Sequence, residues 1–428
     1  MDAKSFTRGA FMEELKTEIG SENTRDKKLW NKDFILLLQG CVVSTIGDMM
    51  YSVAIGYWVY EKTGSNSLMG IMSAISMLVT MVLSPFSGSI VDKCNRKWIL
   101  VGMDLLQSAI MITVGILAFM DKLNVAGVLI AAFLAAVGTA FYSPAVNTVV
   151  LDIIPHDDLV RGESAFSGAT SFVNMVGTAF SGVMVAFFGV PLIIVINGLS
   201  NLYSAISEYF IKVPRTVKQG TPVTVKGLIK DHASALKIIF SDKVLRLFIP
   251  CALIINLLAA GPLALVLPFT LEKGFSVDKY GYIMSVWTAA TIASVLILSV
   301  VKFSPKVRYW IMAVGFCGTA FFLSAAYLST NFVLICVFAG IGAFLNTAGN
   351  TIFNAAMMLA LPEENRGGIL GFINSASIGG TAISVLMYGF LGDVFPLYIV
   401  FTVGTVISLA PMMYMCLNSR TKNFILTH

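Results

Sequence analysis

Three acidic side chains fall within long apolar runs of this 428-residue chain: Asp48, Asp104 and Glu208. An ionisable group at membrane depth is costly and marks function by default. Cys41, Ser44, Thr45 and Ser52 share one helical face with Asp48, so the carboxyl sits on a stripe of small and polar groups. Counted from Phe34, Asp48 lies about 21 Å along a helix rising 1.5 Å per residue, close to the middle of a bilayer. A carboxyl there can take up a proton from one side of a membrane and release it to the other. It can also act as a fixed hydrogen-bonding group against a neighbouring helix. The amides Asn346, Asn350 and Asn354 recur every four residues, and Asn147 follows Ser143 at the same interval. Such amides bridge helices or line a cavity. Asp48, Asn147, Asn350 and Asn354 are therefore the candidates for proton coupling or substrate contact. Tyr51, Phe141, Tyr142, Trp287, Phe353 and Met357 could receive a bulky apolar ligand.

The other two acids read as structural charge. Asp104, with Gln107 and Ser108 on its face, is expected to pair with Arg96 and Lys97. Glu208 continues the Asn197, Asn201, Ser204 face but lies four residues from Lys212, so it is expected to reach the interface. Other chemistries find no residues. His156, His232 and His428 all fall outside the apolar runs, and the six cysteines form no Cys-x-x-Cys pair. The sequence holds no Gly-x-x-x-x-Gly-Lys-[Ser/Thr] loop. We expect no enzyme activity, metal or cofactor.

The elements that must carry these residues are membrane spans. Hydrophobic residues make up 57% and charged residues only 12%, far from a soluble composition. Apolar segments at about 34–60, 67–90, 98–120, 124–151, 164–188 and 190–211 precede a polar stretch; six more follow at about 247–271, 280–301, 309–329, 331–361, 368–392 and 394–417. The expectation is an all-α membrane protein of twelve spans in two six-helix bundles. Its parts are a tail (1–33), a first bundle (34–211), a central loop (212–246), a second bundle (247–417) and a short tail (418–428). Residues 1–32 mix both charge signs without an apolar run, so no cleavable signal is expected. Loops of one parity hold only Lys62, Lys122, Lys273 and Lys279, while all other Lys and Arg fall in the opposite loops and the tails. That asymmetry puts both termini and the central loop in the cytoplasm. It also explains the formal charge of +5 through topology, without nucleic acid as partner.

The halves echo each other: Asn147-Thr148-Val149 and Asn350-Thr351-Ile352, Arg161-Gly162 and Arg366-Gly367, Arg96-Lys97-Trp98 and Arg308-Tyr309-Trp310. Three matches in one order suggest a duplicated bundle. Between spans 2 and 3 stands Gly88-Ser89-Ile90-Val91-Asp92-Lys93-Cys94-Asn95-Arg96-Lys97. It resembles the Gly-x-x-x-Asp-Arg-x-Gly-Arg-Lys signature of the major facilitator superfamily, with Lys93 and Asn95 replacing Arg and Gly. The resemblance implies two bundles around a central cavity. Asp92 would meet the start of span 11 at Gly367 and Gly368, and Arg96 would pair with Asp152 or Glu163, so that Gly88, Asp92, Arg96, Lys97, Gly367 and Gly368 form a conformational lock.

Tyr60-Glu61-Lys62-Thr63-Gly64-Ser65, Gly138-Thr139-Ala140-Phe141 with Pro144-Ala145 and Asn147, and Pro155 with Leu159 look like the bacterial Mef-type macrolide-efflux branch. That similarity covers most of the first half and less of the second. It implies proton-driven export of amphipathic small molecules across the bacterial cell membrane, by a monomer whose partners are its substrate, protons and the lipid bilayer. Two positions depart from drug/proton antiporters of the superfamily. Their span 4 arginine corresponds to about Ala135 here, and of their Gly-Pro-x-x-Gly-Gly stretch the chain keeps Gly177 and Gly182. The arginine-assisted route of coupling therefore does not carry over. A lipid or lysolipid flippase of the same fold is a rival reading, and so is a membrane receptor or scaffold that no longer transports.

Overall fold

The computed structural model describes residues 29–155, 158–213, 236–241, 245–301, 303–361, 366–419 and 422, apart from the side chains of 85, 89, 92, 160, 359, 360, 366–368 and 371. Twelve helices in it are long and apolar enough to cross a membrane. They are α1 (Lys32–Thr63), α2 (Asn66–Lys93), α3 (Arg96–Phe119), α4 (Val125–Ile153), α5 (Leu159–Phe188), α6 (Val190–Tyr209), α7 (Leu245–Ala264), α8 (Val277–Val300), α9 (Pro305–Leu328), α10 (Phe332–Ala360), α11 (Arg366–Val394) and α12 (Leu397–Leu417). Large apolar side chains such as Phe187, Val300 and Trp310 stand fully outward, a surface that lipid can cover and water cannot.

Local chemistry sets the helix ends. Asn31 Oδ1 accepts from the Phe34 amide at 2.9 Å and starts α1. Gly64 ends it with φ +63°, a left-handed conformation that favours glycine. Ser65 then starts α2 by accepting from the Leu68 amide, and Asn124 and Asn331 do the same for α4 and α10. Span 7 does not run through as the apolar pattern suggested. It breaks after Ala264 and resumes as a seven-residue helix, Val266–Glu272. Pro268 explains the break, because its ring collides with the carbonyl four residues back and it has no amide proton to donate.

Neighbour relations repeat between the two sets of six. In the first set α1 packs on α5 and α6, α3 on α4 and α6, and α2 on α4; in the second α7 packs on α11 and α12, α9 on α10 and α12, and α8 on α10. Between the sets α2 meets α11 and α5 meets α8. Hereafter the end carrying Lys93, Arg96 and Arg308 is the basic end, and the opposite one the Gly64 end. At the Gly64 end one apolar core draws on both sets, including Trp58, Val59, Val185, Leu267, Phe269, Tyr388 and Phe401. At the basic end the core splits in two. One part holds Phe34, Leu37, Leu100, Val149 and Ile154; the other holds Phe248, Met312, Phe316, Phe353 and Met412. Among the described residues the sets are thus joined by one continuous apolar core at the Gly64 end.

Candidate functional site

Inside the second set lies a cavity of about 710 Å³. All its six helices line it, α8 giving Trp287, α10 giving Asn346, Asn350, Phe353, Asn354 and Met357, and α7 giving Asn256; among the described residues of the first set only Met77 reaches it. The walls are mostly apolar, with a strip of amides and hydroxyls. Asn350 Nδ2 donates to Asn346 Oδ1 at 2.8 Å, so part of the strip is tied within its own helix. Such a wall suits a molecule with a large apolar body and a few polar groups. Trp287, Phe353 and Met357 therefore stand where the sequence suggested. Asn147 does not: it is exposed and outside this cavity, so the symmetry between α4 and α10 does not extend to the lining. Phe141 is also absent from the lining, while Tyr51 and Tyr142 belong to the first set's acidic seam.

That seam runs between α1, α3, α4 and α6. The Asp48 carboxyl lies beside the Asn197 and Asn201 amides. Close helix approach makes this contact, because a side chain at Gly47 would collide with Ser200 and Asn197. Asp104 corrects one expectation. It is 1% exposed and lies beside Ser204, without an ion pair among the described residues. Arg96 instead pairs with Asp152, and Lys97 lies over the Tyr209 ring at 5.1 Å. The reason is rotation for Lys97 and distance along the helix for Arg96. Lys97 lies off the buried face of α3, towards the aromatic end of α6, whereas Arg96 shares that face with Leu100 and Asp104 but stands eight residues, about 12 Å, along the helix from Asp104. Glu208 corrects a second one. It does not reach the interface but is 1% exposed, accepting from the Tyr142 hydroxyl at 2.8 Å. Its face settles this, since Glu208 follows Asn197, Asn201 and Ser204 on the packed side of α6.

Of the lock, Arg96 meets Asp152. The Asp92 side chain and positions 367 and 368 lie outside the described side chains, so their meeting does too. Among the described residues Gly88 has no neighbour within 4 Å of where a side chain would stand. Described contacts between the sets lie elsewhere. At the Gly64 end the Asp393 carboxylate caps α2, accepting from the Asn66 amide at 2.6 Å, from the Ser65 hydroxyl at 3.0 Å and from the Ser67 amide at 3.2 Å. Asn66 Nδ2 donates to Gly392 O at 2.9 Å. Sequence reasoning missed this clasp; the signal was a lone acid at the end of span 11 opposite Ser65-Asn66-Ser67.

The model of the Major Facilitator Superfamily matches residues 37–384. Macrolide efflux protein A of Streptococcus pyogenes is 29% identical over 186 residues, 44% of this chain and 46% of that protein, so the chain matches about half the length of that relative. The multidrug efflux pump Tap of Mycolicibacterium fortuitum is 22% identical over 385 residues, 86% of this chain and 91% of the pump. Among solved structures, a bacterial homolog of the human lysosomal transporter Spinster, in an inward-facing and unoccupied conformation, aligns with a TM-score of 0.68 at 14% identity, covering 95% of this chain and 97% of that one. That likeness concerns the fold. With the family model spanning most of its length and twelve helices fit to cross a bilayer, this chain belongs to the Major Facilitator Superfamily.

Proposed function

We propose that this transporter exports amphipathic small molecules of the macrolide or drug-like class, driven by the proton gradient. Two six-helix bundles, residues 34–211 and 247–417, rock about the cavity, with the tails 1–33 and 418–428 and the loop 212–246 in the cytoplasm. The observation that carries the reading is the 710 Å³ cavity, whose apolar wall and amide strip match such a substrate. The names of its relatives point the same way. Asp48 is the proton carrier, and Asn350 and Asn354 touch substrate; Asn147 would do so only in a conformation that brings α4 to the cavity. The lock of Gly88, Asp92, Arg96, Lys97, Gly367 and Gly368 would hold the basic end shut when the Gly64 end opens. A core shared by both sets at the Gly64 end and, among the described residues, split at the basic end supports one half-cycle of such rocking.

Inverted membrane vesicles with an imposed pH gradient test this. Uptake of a macrolide or of a cationic dye should stop when the gradient is collapsed. Uptake of a fluorescent lysolipid in place of both would turn the reading to a flippase, and transport of none of them would count against export altogether.

A further inference from the structure

We propose that Asp104, Ser204, Glu208 and Tyr142 form a proton relay linking Asp48 to the basic end of the first helix set. The proposal deepens the proton-driven reading above and rests on it. Its starting point is four buried atoms with no hydrogen-bond partner: Asn197 Nδ2, Asp104 Oδ2, Ser204 Oγ and Glu208 Oε2. Their residues are all at most 1% exposed. Buried polar groups of folded proteins are paired almost without exception, and each orphan asks for a reason. Here the orphans fall in order along one seam. On α6, Asn197, Asn201, Ser204 and Glu208 stand four, three and four residues apart on a single face, and the step from Asn201 to Glu208 covers about 10 Å of helix.

The neighbours complete the line. Asp48 lies beside Asn197 and Asn201; Asp104 lies beside Ser204 and within electrostatic reach of both Asp48 and Glu208. The Tyr142 hydroxyl donates to Glu208 Oε1 at 2.8 Å and stands 3.4 Å from Cys41 Sγ. The titratable groups facing the seam are Cys41, Asp48 and Tyr51 from α1, Asp104 from α3, Tyr142 from α4 and Glu208 from α6. α5 packs against α1 with only Arg161 and Glu163, both exposed at its basic end. No cation joins the seam among these groups. Asp104 and Glu208 are buried without a counter-charge and Asp48 is half-buried on the same seam, so the three cannot all be ionised and the seam holds protons.

A fixed structural carboxylate would have both oxygens engaged. Asp104 Oδ2 and Glu208 Oε2 are both unpartnered, and so is the hydroxyl of Ser204, which stands one turn from Glu208 on α6 and beside Asp104. A hydroxyl can accept and donate in one step. The three atoms are not bonded to one another in this conformation; when the Ser204 hydroxyl swings in to bridge the two acids, a proton leaves Asp104 Oδ2 for Ser204 Oγ as the serine's own proton passes to Glu208 Oε2. Asp104 becomes the carboxylate and Glu208 the acid. Asp48 then hands its proton to Asp104, and the net result is one proton moved from mid-depth to the last turn of α6, with Asp48 left anionic. Tyr142 holds Glu208 in place through Oε1 and leaves Oε2 free to receive.

Infrared titration of the full-length protein in lipid nanodiscs, without substrate, reads the protonated carboxyl bands directly. Glu208→Gln should change the pH at which the Asp104 band disappears, and Tyr142→Phe should change that of Glu208. In inverted vesicles with ethidium as probe, Asp104→Asn and Glu208→Gln should each slow gradient-driven uptake by at least about tenfold, as loss of a positioned proton donor does. KM for ethidium should stay put, because neither residue lines the cavity. Tyr142→Phe keeps all three acids and serves if a carboxyl variant fails to reach the membrane. Wild-type uptake rates in these variants, or independent titration of Asp104 and Glu208, would overturn the relay. Wild-type vesicles indifferent to the gradient would instead overturn proton drive, while the infrared readout would still judge the seam.

Discussion

Asp393 accepts from the backbone amide of Asn66 at 2.6 Å, tying the end of α11 to the start of α2 across the two helix sets. A carboxylate at a helix start meets both free amides and the positive end of the helix dipole. Loss of a capping side chain costs about 1 kcal/mol, which corresponds to about a fivefold change in an equilibrium at 1.4 kcal/mol per factor of ten. Asp393→Ala should therefore shift the transporter towards states open at the Gly64 end. The measurement is a disulfide cross-link between Asn66→Cys and Gly392→Cys, positions where a Cβ on Gly392 would lie 3.4 Å from Asn66 Cβ. It should form several-fold more slowly once Asp393 is replaced; an unchanged rate would show that apolar packing alone holds this end.

The second bond between the sets depends on absent side chains. A Cβ on Gly182 would stand 2.7 Å from the Gly281 nitrogen and 2.8 Å from Val277 O, and one on Gly281 would stand 3.1 Å from Ala179 O. Backbone cannot yield as a flexible side chain can. Gly182→Leu should push α5 away from α8 and cost about 1–3 kcal/mol, the range for overpacking. Thermal unfolding in detergent should fall, and an environment-sensitive label on α8 should report a wetter Gly64 end. A neutral effect on both would mean that α5 and α8 part freely in the resting protein.

The cavity predicts a division of effects within the second set. Trp287→Ala removes a large apolar wall, and Asn354→Leu removes one amide from the strip while keeping the volume. A hydrogen bond contributes about 0.5–1.5 kcal/mol net, so Asn354→Leu should raise KM by about two- to tenfold for substrates with a polar group and little for a purely apolar dye. Trp287→Ala should weaken both alike. Equal responses of both substrate types to Asn354→Leu would remove that amide from substrate contact. Asn147→Leu, outside the cavity in this conformation, offers the comparison.

Residue types and spacing revealed the spans, because an apolar run of membrane length has few other uses and glycine, asparagine and serine punctuate it at Gly64, Ser65, Asn124 and Asn331. What they did not reveal was rotation about helix axes between neighbours. Asp104 looked like a partner for Arg96 because the two are close in sequence, yet eight residues along α3 separate them and Asp152 arrives from α4. Glu208 looked interfacial from Lys212, although the asparagines above it already marked the packed face. The break at Leu265 was written in Pro268, but composition inside an apolar run hides a proline whose effect falls four residues upstream. Asp393 and Asn66 are more than three hundred residues apart, and no local pattern pairs them.

Asp48 offers the sharpest separation of drive from binding. It sits beside amides in the first set, while the cavity lies in the second, so its charge state can change without altering the cavity wall. Asp48→Asn fixes a neutral group of nearly the same shape between Asn197 and Asn201. Downhill efflux and counterflow of substrate need only the rocking of the helix sets and should persist within a few-fold. Concentrative uptake into inverted vesicles needs a proton released at each cycle and should disappear. Binding of substrate to the wild type should release protons into weakly buffered solution, and binding to the variant should not. If the variant still accumulates substrate against its gradient, the coupling carboxyl lies elsewhere, with Asp104 as the next residue to replace.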